Sequence, residues 1–367
     1  MRYLFVVQGE GRGHFTQALS MKDMLEHNGH EVVGVMVGCS AKRTLPEFFK
    51  ANIKTEIHRF QSPNFLPAPK TKKNSILASV FYNALLSPTY VASLFKIKKV
   101  IADLNPDIVL NFYELLCGLT YGFMNPGVPM INVAHQYYFL TKDFEYKGNK
   151  KIEFFLLNFY SKLTALNASK ILALSFRESQ SDFKQNISIV PPLLRKELFN
   201  VNIKTENFVH GYILNSAFAD ELLIWSNANP AVKLNFYWDK SNVKETVKLS
   251  DNLKMNRLND KRFLVDMARS RAYATTAGFE SVCEAMYLQK PVLMVPTHIE
   301  QDCNAYDAFN SGAGIFSDEF EIQKLIEFIP AYKKTNQFRY WVQSSERLFI
   351  HELTQFETQP TGLFQLF

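Results

Sequence analysis

Residues 275–305 read TTAGFESVCEAMYLQKPVLMVPTHIEQDCNA, and the order of the parts in this stretch decides which fold is expected. An apolar strand ends in a loop that contains Gly278, a helix begins near Glu280–Ser281, and Glu284 lies one turn further on. Backbone N–H groups at such a helix start suit a pyrophosphate. A carboxylate one turn along can accept hydrogen bonds from the two hydroxyls of a ribose. The stretch therefore predicts a strand–loop–helix unit that holds a nucleotide.

Apolar strands alternate with helical patterns on both sides of this unit. In the first half the predicted strands are RYLFVVQ, HEVVGVMVG, PDIVLNF, PMINVAH, KILALS and ISIVPP. Pro191–Pro192 interrupts the pattern, because proline continues neither a strand ladder nor a helix. The alternation then resumes at NFVHGYIL and continues through PVLMVP. We therefore predict an α/β protein with two doubly wound, Rossmann-like domains.

The same pattern predicts where each domain begins and ends. We expect the first domain at 1–200 and the second at 201–338. A helical tail at 339–367 follows, and the sequence leaves open whether it crosses back to the first domain.

Composition limits the class of protein. The 367 residues are 47% hydrophobic and 21% charged, which predicts a packed globular chain. The net charge of +6 fits an anionic ligand or an anionic membrane surface, and does not by itself indicate nucleic acid. The four cysteines have no zinc-like spacing and are expected to be free thiols. The start MRYLFVVQG predicts a strand rather than a signal peptide, so we expect a cytoplasmic protein, either free or peripheral on the inner face of the membrane.

A second glycine-rich loop lies in VVQGEGRGHFTQAL, residues 6–19. Its glycines are Gly9, Gly11 and Gly13. A dinucleotide fingerprint is excluded, because His14 takes the third glycine position and the second strand ends without a carboxylate. A P-loop is excluded because no Lys-Ser/Thr follows. A histidine at a helix start tends to stay neutral and can accept a proton, so His14 is a candidate general base.

Together the two motifs resemble those of GT-B glycosyltransferases. They are close to the UDP-sugar glycosyltransferase signature and to the family 28-like bacterial cell-wall N-acetylglucosaminyltransferases. The matching positions are Gly278, Ser281, Glu284, Pro291, Glu300, Gln301, Asn304 and Ala305. The resemblance implies two Rossmann-like domains that face each other across a cleft. It also implies that the N-terminal domain holds the acceptor and the C-terminal domain holds the nucleotide sugar, which we expect to be UDP-linked.

The resemblance implies a role for each matched residue. Donor-binding residues along the pyrophosphate would be Gly278, Phe279, Glu280 and Ser281. Glu284 would hold the ribose, and Glu300 and Gln301 would contact the transferred sugar. His14 would be the catalytic base on the acceptor hydroxyl, with Gly11 and Gly13 in the cleft loop.

One position departs from this pattern. Relatives often carry an aspartate at the end of the strand PDIVLNF to orient the histidine, and this chain has Asn111 there. Glu114, three residues on, is the predicted catalytic substitute. The alternative is that Glu114 is an exposed glutamate in the first turn of a helix.

The sequence contains no D-x-D motif and no His/Cys cluster, so we expect no metal and no cofactor, with the nucleotide sugar as substrate. A helix N-terminus would neutralise the leaving diphosphate instead. The expected activity is inverting, metal-independent transfer of a hexosyl or N-acetylhexosaminyl group to a lipid-linked or saccharide acceptor. Two alternatives stay open: a UDP-sugar 2-epimerase, and a non-catalytic nucleotide-sugar-binding subunit of a two-component enzyme.

Two basic, aromatic stretches at 65–100 and 147–163 are candidates for the acceptor side. The first contains lysines 70, 72, 73, 96, 98 and 99. Basic residues beside exposed aromatic residues suit an anionic membrane surface. The alternative is a pair of amphipathic helices that pack on the sheet and leave their lysines in water.

Overall fold

The computed structural model describes residues 1–41, 43–63, 87–238, 240 and 244–356, and it contains two parallel sheets in succession. The first has seven parallel strands in the order β3-β2-β1-β4-β5-β6-β7. They are β1 Arg2–Gln8, β2 Glu31–Cys39, β3 Ile57–Gln61, β4 Ile108–Phe112, β5 Met130–Ala134, β6 Lys170–Leu174 and β7 Ile187–Val190. The central strands are continuous apolar runs because both faces of the sheet are covered.

Helices cover both faces of this sheet. They are α1 Gly13–His27, α2 Glu47–Ile53, α3 Ser87–Leu104, α4 Leu115–Met124 and α5 Lys151–Thr164, with short 3-10 helices at His135–Leu140 and Lys196–Asn200. Strand β1 shows how side chains are divided between the faces. Tyr3 and Phe5 pack into the core on the α1 side, whereas Leu4 and Val6 pack on the α3 side. This alternation is the two-residue period of a strand.

The second sheet also has seven strands, in the order β10-β11-β9-β8-β12-β13-β14. They are β8 Phe208–Ile213, β9 Lys233–Trp238, β10 Thr246–Lys248, β11 Leu253–Arg257, β12 Ala272–Thr275, β13 Val292–Met294 and β14 Gly314–Phe316. All pair in parallel except β10, which runs antiparallel to β11. The helices are α6 Phe218–Ala228, α7 Asp260–Arg269, α8 Phe279–Tyr287, α9 Ile299–Asn310 and α10 Ile322–Phe328, followed by a 3-10 turn at Ile329–Ala331.

The chain then returns to the first sheet through α11 Gln337–Gln343 and α12 Ser345–Thr354. The indole N–H of Trp341 donates to the carbonyl of Ser175 at 2.9 Å. Lys170 forms an ion pair with Glu352 at 3.0 Å. The sequence predicts one helical segment here. The structure has two, and the Ser344 hydroxyl between them donates to the Trp341 carbonyl, which competes with helical hydrogen bonding.

The four cysteines are unpaired and buried, as expected. Within the described ranges no helix is long and apolar enough to cross a membrane. The glycine-rich loop follows β1 and the residue 275–305 stretch follows β12, so each motif lies at the carboxyl end of a parallel strand. Ligands of open α/β sheets bind at that edge.

Candidate active site

The glycine-rich loop between β1 and α1 approaches the second domain closely. The amide of Gly9 donates to the Gly38 carbonyl at 2.8 Å, and a Cβ at Gly9 would collide with that carbonyl. A Cβ at Gly13 would collide with the carboxylate of Glu280, which belongs to α8. Gly11 is exposed, and its amide lies 3.4 Å from Gln8 Oε1. Glycine at positions 9 and 13 thus permits backbone approaches that a side chain would prevent.

His14 is the second residue of α1 and is half-buried. Its Nδ1 lies 3.3 Å from Gln17 Oε1, and Nε2 has no hydrogen-bond partner among the described residues. Burial lowers the pKa of His14 to about 4, and the hydrogen bond with Gln17 opposes this shift. The imidazole is therefore neutral near pH 7 and can accept a proton.

Tyr113 stacks on the imidazole, with ring centroids 5.8 Å apart and an angle of 23° between the rings. It follows β4 with a φ of 61°, in the left-handed region that is unusual for a residue with a side chain. Its hydroxyl lies 2.7 Å from Ser161 Oγ. Sequence reasoning did not identify Tyr113, because its position against His14 depends on this backbone turn.

Gln17 connects His14 to the second domain. Its Oε1 faces His14, and its Nε2 donates to Glu280 Oε1. Burial raises the pKa of Glu280, and the hydrogen bond from Gln17 acts in the opposite direction. Sequence reasoning also missed Gln17. The signal that could have indicated it is its spacing, since residues three apart on a helix share a face.

Glu114 does not form the hydrogen bond to His14 that we expected. Its carboxylate accepts from Ser62 Oγ at 2.5 Å and from the Leu116 amide at 3.1 Å, and so caps α4. It is also not exposed, because its side chain is fully buried, and burial raises its pKa to about 7. Asn111 supports the same turn by donating to the carbonyls of Glu114 and Thr164. In the described part of the chain Gln17, not Glu114, is the partner of His14.

The loop before α8 has the geometry of an anion-binding helix start. Gly278 is the N-cap of α8, and the Ser281 hydroxyl donates back to its carbonyl at 3.1 Å. Asn304 donates to the carbonyl of Ala277, which has a φ of 60°. The side chain of Phe279 points inward and stacks on His135, with the ring centroids 3.9 Å apart. Only the backbone of Phe279 can therefore reach a ligand. The N–H groups of the first turn remain the predicted phosphate contacts.

Glu284 already has a cationic partner. Arg195 lies in the chain segment that connects β7 to β8, and it donates from Nε and Nη2 to the two carboxylate oxygens at 2.5 and 2.8 Å. It also donates to the Asp260 carbonyl. Each carboxylate oxygen keeps a further lone pair that could accept from a ribose hydroxyl. Sequence reasoning missed Arg195, which lies 89 residues from Glu284.

Glu300 and Gln301 have different environments. Glu300 accepts from Gln136 Nε2 at 3.0 Å, and burial followed by the nearby charge of Glu280 raises its pKa to about 7. Gln301 is buried, and its Oε1 accepts from the amide and the hydroxyl of Thr297 at 2.9 and 2.7 Å. Glu300 is therefore placed near Glu280, whereas the oxygen of Gln301 is used within its own loop.

In six contacts between the two domains, a side chain of the first domain donates to a carboxylate of the second domain. They are Arg12–Asp260, Gln17–Glu280, Gln136–Glu300, Lys150–Asp302, Arg177–Asp307 and Arg195–Glu284. The predicted donor-binding face is consequently acidic, and the face opposite it is basic.

A cavity of about 450 Å³ opens beside α3, at the carboxyl ends of β2 and β3. Arg59 and Lys96 are among its lining residues, and none of the predicted site residues lines it. Among the residues that the structure describes, no group of three or more His, Cys, Asp or Glu side chains could hold a metal ion.

Comparisons with known proteins agree with this architecture. Residues 1–332 match the model of glycosyl transferase family 1. The glycotransferase of kitacinnamycin has a TM-score of 0.65 at 15% identity, over 97% of this chain and 98% of that chain. The calicheamicin glycosyltransferase scores 0.62 at 14% identity, over 98% and 100%. A protein of Arabidopsis thaliana complexed with UDP-L-rhamnose scores 0.61 at 14% identity, over 96% and 97%.

A search of curated proteins found no match. At these identities the likeness to solved structures shows the fold, and it confirms the predicted α/β class with two Rossmann-like domains.

Proposed function

Because the chain belongs to glycosyl transferase family 1, we propose that it moves a sugar from a UDP-linked donor to a hydroxyl acceptor by an inverting, metal-independent displacement. The family accounts for the sugar transfer. One observation carries the mechanism: the half-buried, neutral imidazole of His14 has Nδ1 held by Gln17 and, among the described residues, no partner on Nε2, and Gln17 connects it to Glu280 in the first turn of α8. The UDP-L-rhamnose complex of the Arabidopsis thaliana protein supports a UDP-linked donor.

In this mechanism the acceptor hydroxyl gives its proton to Nε2 of His14 while its oxygen attacks the anomeric carbon. The bond from that carbon to the diphosphate oxygen breaks, and its electron pair leaves with the diphosphate. Attack from the side opposite the leaving group inverts the anomeric centre. A positioned general base contributes about 10²–10⁴ in rate.

The leaving diphosphate would lie on the amides of the first turn of α8, where the helix dipole favours an anion. The carboxylates of the second domain repel such an anion. Arg195 offsets this repulsion, because its guanidinium is fixed on Glu284 and brings positive charge to the donor face. We assign Glu284 to the ribose hydroxyls in this arrangement.

We also propose a lipid-linked acceptor at an anionic membrane surface, on the strength of α5. Phe154, Leu157 and Tyr160 of this helix pack on the core, whereas a second row of apolar residues faces water. That row is Ile152, Phe155, Leu156 and Phe159. A helix that is apolar all round is normally covered on both sides. Exposed lysines 147 and 151 flank the row and suit anionic lipid.

The other basic stretch supports this assignment in part. Lysines 70, 72 and 73 lie outside the described residues. Within α3, Phe95 is exposed beside Lys96, Lys98 and Lys99. Buried residues of α3, among them Ile97 and Ile101, pack on the sheet.

His14→Ala tests the proposed mechanism. We expect turnover to fall about 10²–10⁴-fold while the Kd for UDP stays unchanged, because the nucleotide is held by the other domain. His14→Asn, similar in size but not basic, should be equally impaired. The measurements are UDP release from UDP-sugars with saccharide and lipid-linked acceptors, and calorimetric titration with UDP.

The same assay separates the alternatives that the sequence leaves open. An epimerase converts UDP-N-acetylglucosamine without an acceptor. A non-catalytic subunit binds UDP and turns over with none of the acceptors. Near-normal turnover of His14→Ala would contradict the assigned base.

A further inference from the structure

Three side chains from the two domains form one hydrogen-bonded line. His14 and Gln17 lie on α1, and Glu280 lies in the first turn of α8. Gln17 is 2% exposed, so its amide has little access to water as an alternative partner. The Glu280 carboxylate also packs against the backbone at Gly13, which keeps it beside the side-chain NH₂ group of Gln17.

When Glu280 is ionised, the three groups can form this line in only one direction. An ionised carboxylate has no proton, so Glu280 must accept, and Gln17 must turn its NH₂ toward it. The carbonyl oxygen of the same amide then faces His14 and can only accept. The proton of the neutral imidazole must therefore reside on Nδ1, and Nε2 is left with its lone pair.

We propose that Glu280 is a positioning residue that acts through Gln17 to hold His14 in the Nδ1–H tautomer. This inference rests on the proposed role of His14 as general base. It assigns this role to the carboxylate of Glu280 and leaves only the backbone N–H of Glu280 for the predicted pyrophosphate contact, since a carboxylate repels a diphosphate. The line also joins the two domains, so His14 receives its orientation only when the two domains are in contact.

The carboxylate has a second effect during the reaction. When Nε2 takes the acceptor proton, the imidazolium charge lies next to the Gln17 carbonyl, which Glu280 polarises from the far side of the amide. A charged hydrogen-bond partner strengthens such a chain. In other enzymes a carboxylate bonded directly to a catalytic histidine stabilises its positive charge. Glu280 has the same effect here, transmitted through the amide of Gln17.

The first test needs no substrate. In protein labelled with ¹⁵N-histidine, the His14 signals, assigned by their loss in His14→Ala, should show a protonated Nδ1 and a bare Nε2. Glu280→Gln removes the obligatory acceptor, since its amide can present either group to Gln17. We expect the His14 signals of this variant to move toward a mixture of the two tautomers. Unchanged signals would overturn the proposal.

The second test uses rescue. Glu280→Gln should lower kcat about tenfold or more while the Kd for UDP stays unchanged. The double variant Gln17→Glu/Glu280→Gln rebuilds the line, because the new carboxylate at position 17 would accept from Nδ1–H of His14 and the new amide at position 280 would donate to that carboxylate. The double variant should recover most of the lost kcat, although Gln17→Glu alone sets two carboxylates together and should be impaired. Glu319→Gln, an exposed glutamate of the second domain, is the matched charge control.

Loss of UDP affinity in Glu280→Gln would instead indicate a phosphate-binding role and would overturn the inference, as would a double variant no better than Glu280→Gln. The failure of the proposed function looks different: His14→Ala would keep its turnover, while the ¹⁵N signals would still report the state of the hydrogen-bonded line.

Discussion

Burial lowers the pKa of four histidines to about 3 or 4. They are His14, His135, His210 and His298. Their hydrogen bonds separate them: Nδ1 of His135 lies 2.7 Å from the Leu174 carbonyl, whereas neither ring nitrogen of His210 has a partner among the described residues. A low pKa thus does not by itself distinguish a base from a core residue. What distinguishes His14 from His135 and His210 is that its ring is half-buried rather than buried, while its Nδ1 is held by Gln17.

His210→Leu should stabilise the protein, and increasingly so in acid. His210 packs among Tyr237, Phe263 and Tyr273. Its folded pKa of about 3 lies below the unfolded value near 6.5, so stability is lost as pH falls from about 6.5 toward 3, by about 1.4 kcal/mol per pH unit. Leucine has no ionisable group, so the variant does not lose this stability in acid. Urea unfolding should show that the free energy of unfolding of the variant exceeds that of the wild type by more at pH 5 than at pH 7.5. An equal difference at both pH values would contradict this.

Glu284→Ala should weaken UDP binding about tenfold or more, because a carboxylate makes strong hydrogen bonds to ribose hydroxyls. The loss should be smaller for 2′-deoxy-UDP, which lacks one of those hydroxyls. Calorimetry with both nucleotides separates ribose recognition from general damage caused by leaving Arg195 without its partner. Equal losses for the two ligands would remove Glu284 from the ribose site.

Sequence reasoning at this scale reaches residues that belong to a local motif. His14 and Glu284 stand at fixed offsets from a strand end, so their positions are predictable from spacing. Gln17 and Arg195 were missed because their partners lie 263 and 89 residues away. Glu114 shows a further limit: its offset predicts a place near the cleft, but the capping bond to Leu116 is what orients its carboxylate.

Helix α5 carries apolar side chains on its water-facing side as well as on the side that packs on the core. Ile152 is 75% exposed and Phe155 is 67% exposed, although the opposite face of the helix packs on the core. The spacing of the outward row, at i, i+3, i+4 and i+7, forms a continuous stripe. Such a stripe can lie in the interface of a lipid bilayer with its apolar side chains inserted.

Phe155→Ser/Phe159→Ser should lower binding to phosphatidylglycerol-containing vesicles at least about tenfold, because burying a phenylalanine side chain is worth about 1.5–3 kcal/mol. Binding of the wild type should also fall as salt rises. Ile224→Ser is the matched control, since Ile224 is 74% exposed on α6 of the second domain. Co-sedimentation measures all three proteins. If the wild type fails to sediment at low salt, the membrane proposal loses its support.

Element by element, the predictable strands are those with continuous apolar runs, such as β1 and β4, in which nearly every side chain is buried. Strands β3, β10 and β14 were not predicted. Each is only three to five residues long, lies at the edge of its sheet and buries at most one side chain. An edge strand that is largely exposed carries little apolar periodicity in its sequence, whereas the edge strand β7 has all four residues buried and was predicted.

On the scale of the whole molecule, six side-chain donors of the first domain each contact a carboxylate of the second domain. Asp307 is the most buried of these carboxylates, and its partner Arg177 donates to it at 2.7 Å. Burial raises the pKa of Asp307 to about 7, and Arg177 opposes the rise. His135 lies 3.9 Å away and is held neutral by its own burial, so Arg177 supplies the neutralising charge.

Arg177→Met should destabilise the protein most at alkaline pH. Without its cation, the folded pKa of Asp307 rises further above the unfolded value, so stability continues to fall as pH rises past about 7. Breaking a buried pair costs about 3–5 kcal/mol when the remaining charge stays ionised. Urea unfolding should therefore show a larger loss at pH 8.5 than at pH 6. In Arg177→Met/Asp307→Asn the difference between the two pH values should disappear.

The return of α11 and α12 makes the first domain discontinuous in sequence, with the second domain inserted between its parts. Trp341, Phe349 and Leu353 of these helices are buried in a core that also includes β1 and β7. A gene fragment that stops after the first seven strands would encode an incomplete domain with a bare apolar surface, whereas one covering 201–336 would encode the inserted domain in one piece. Exchange of donor-binding halves between such enzymes therefore requires two cut sites rather than one, placed on either side of the insert.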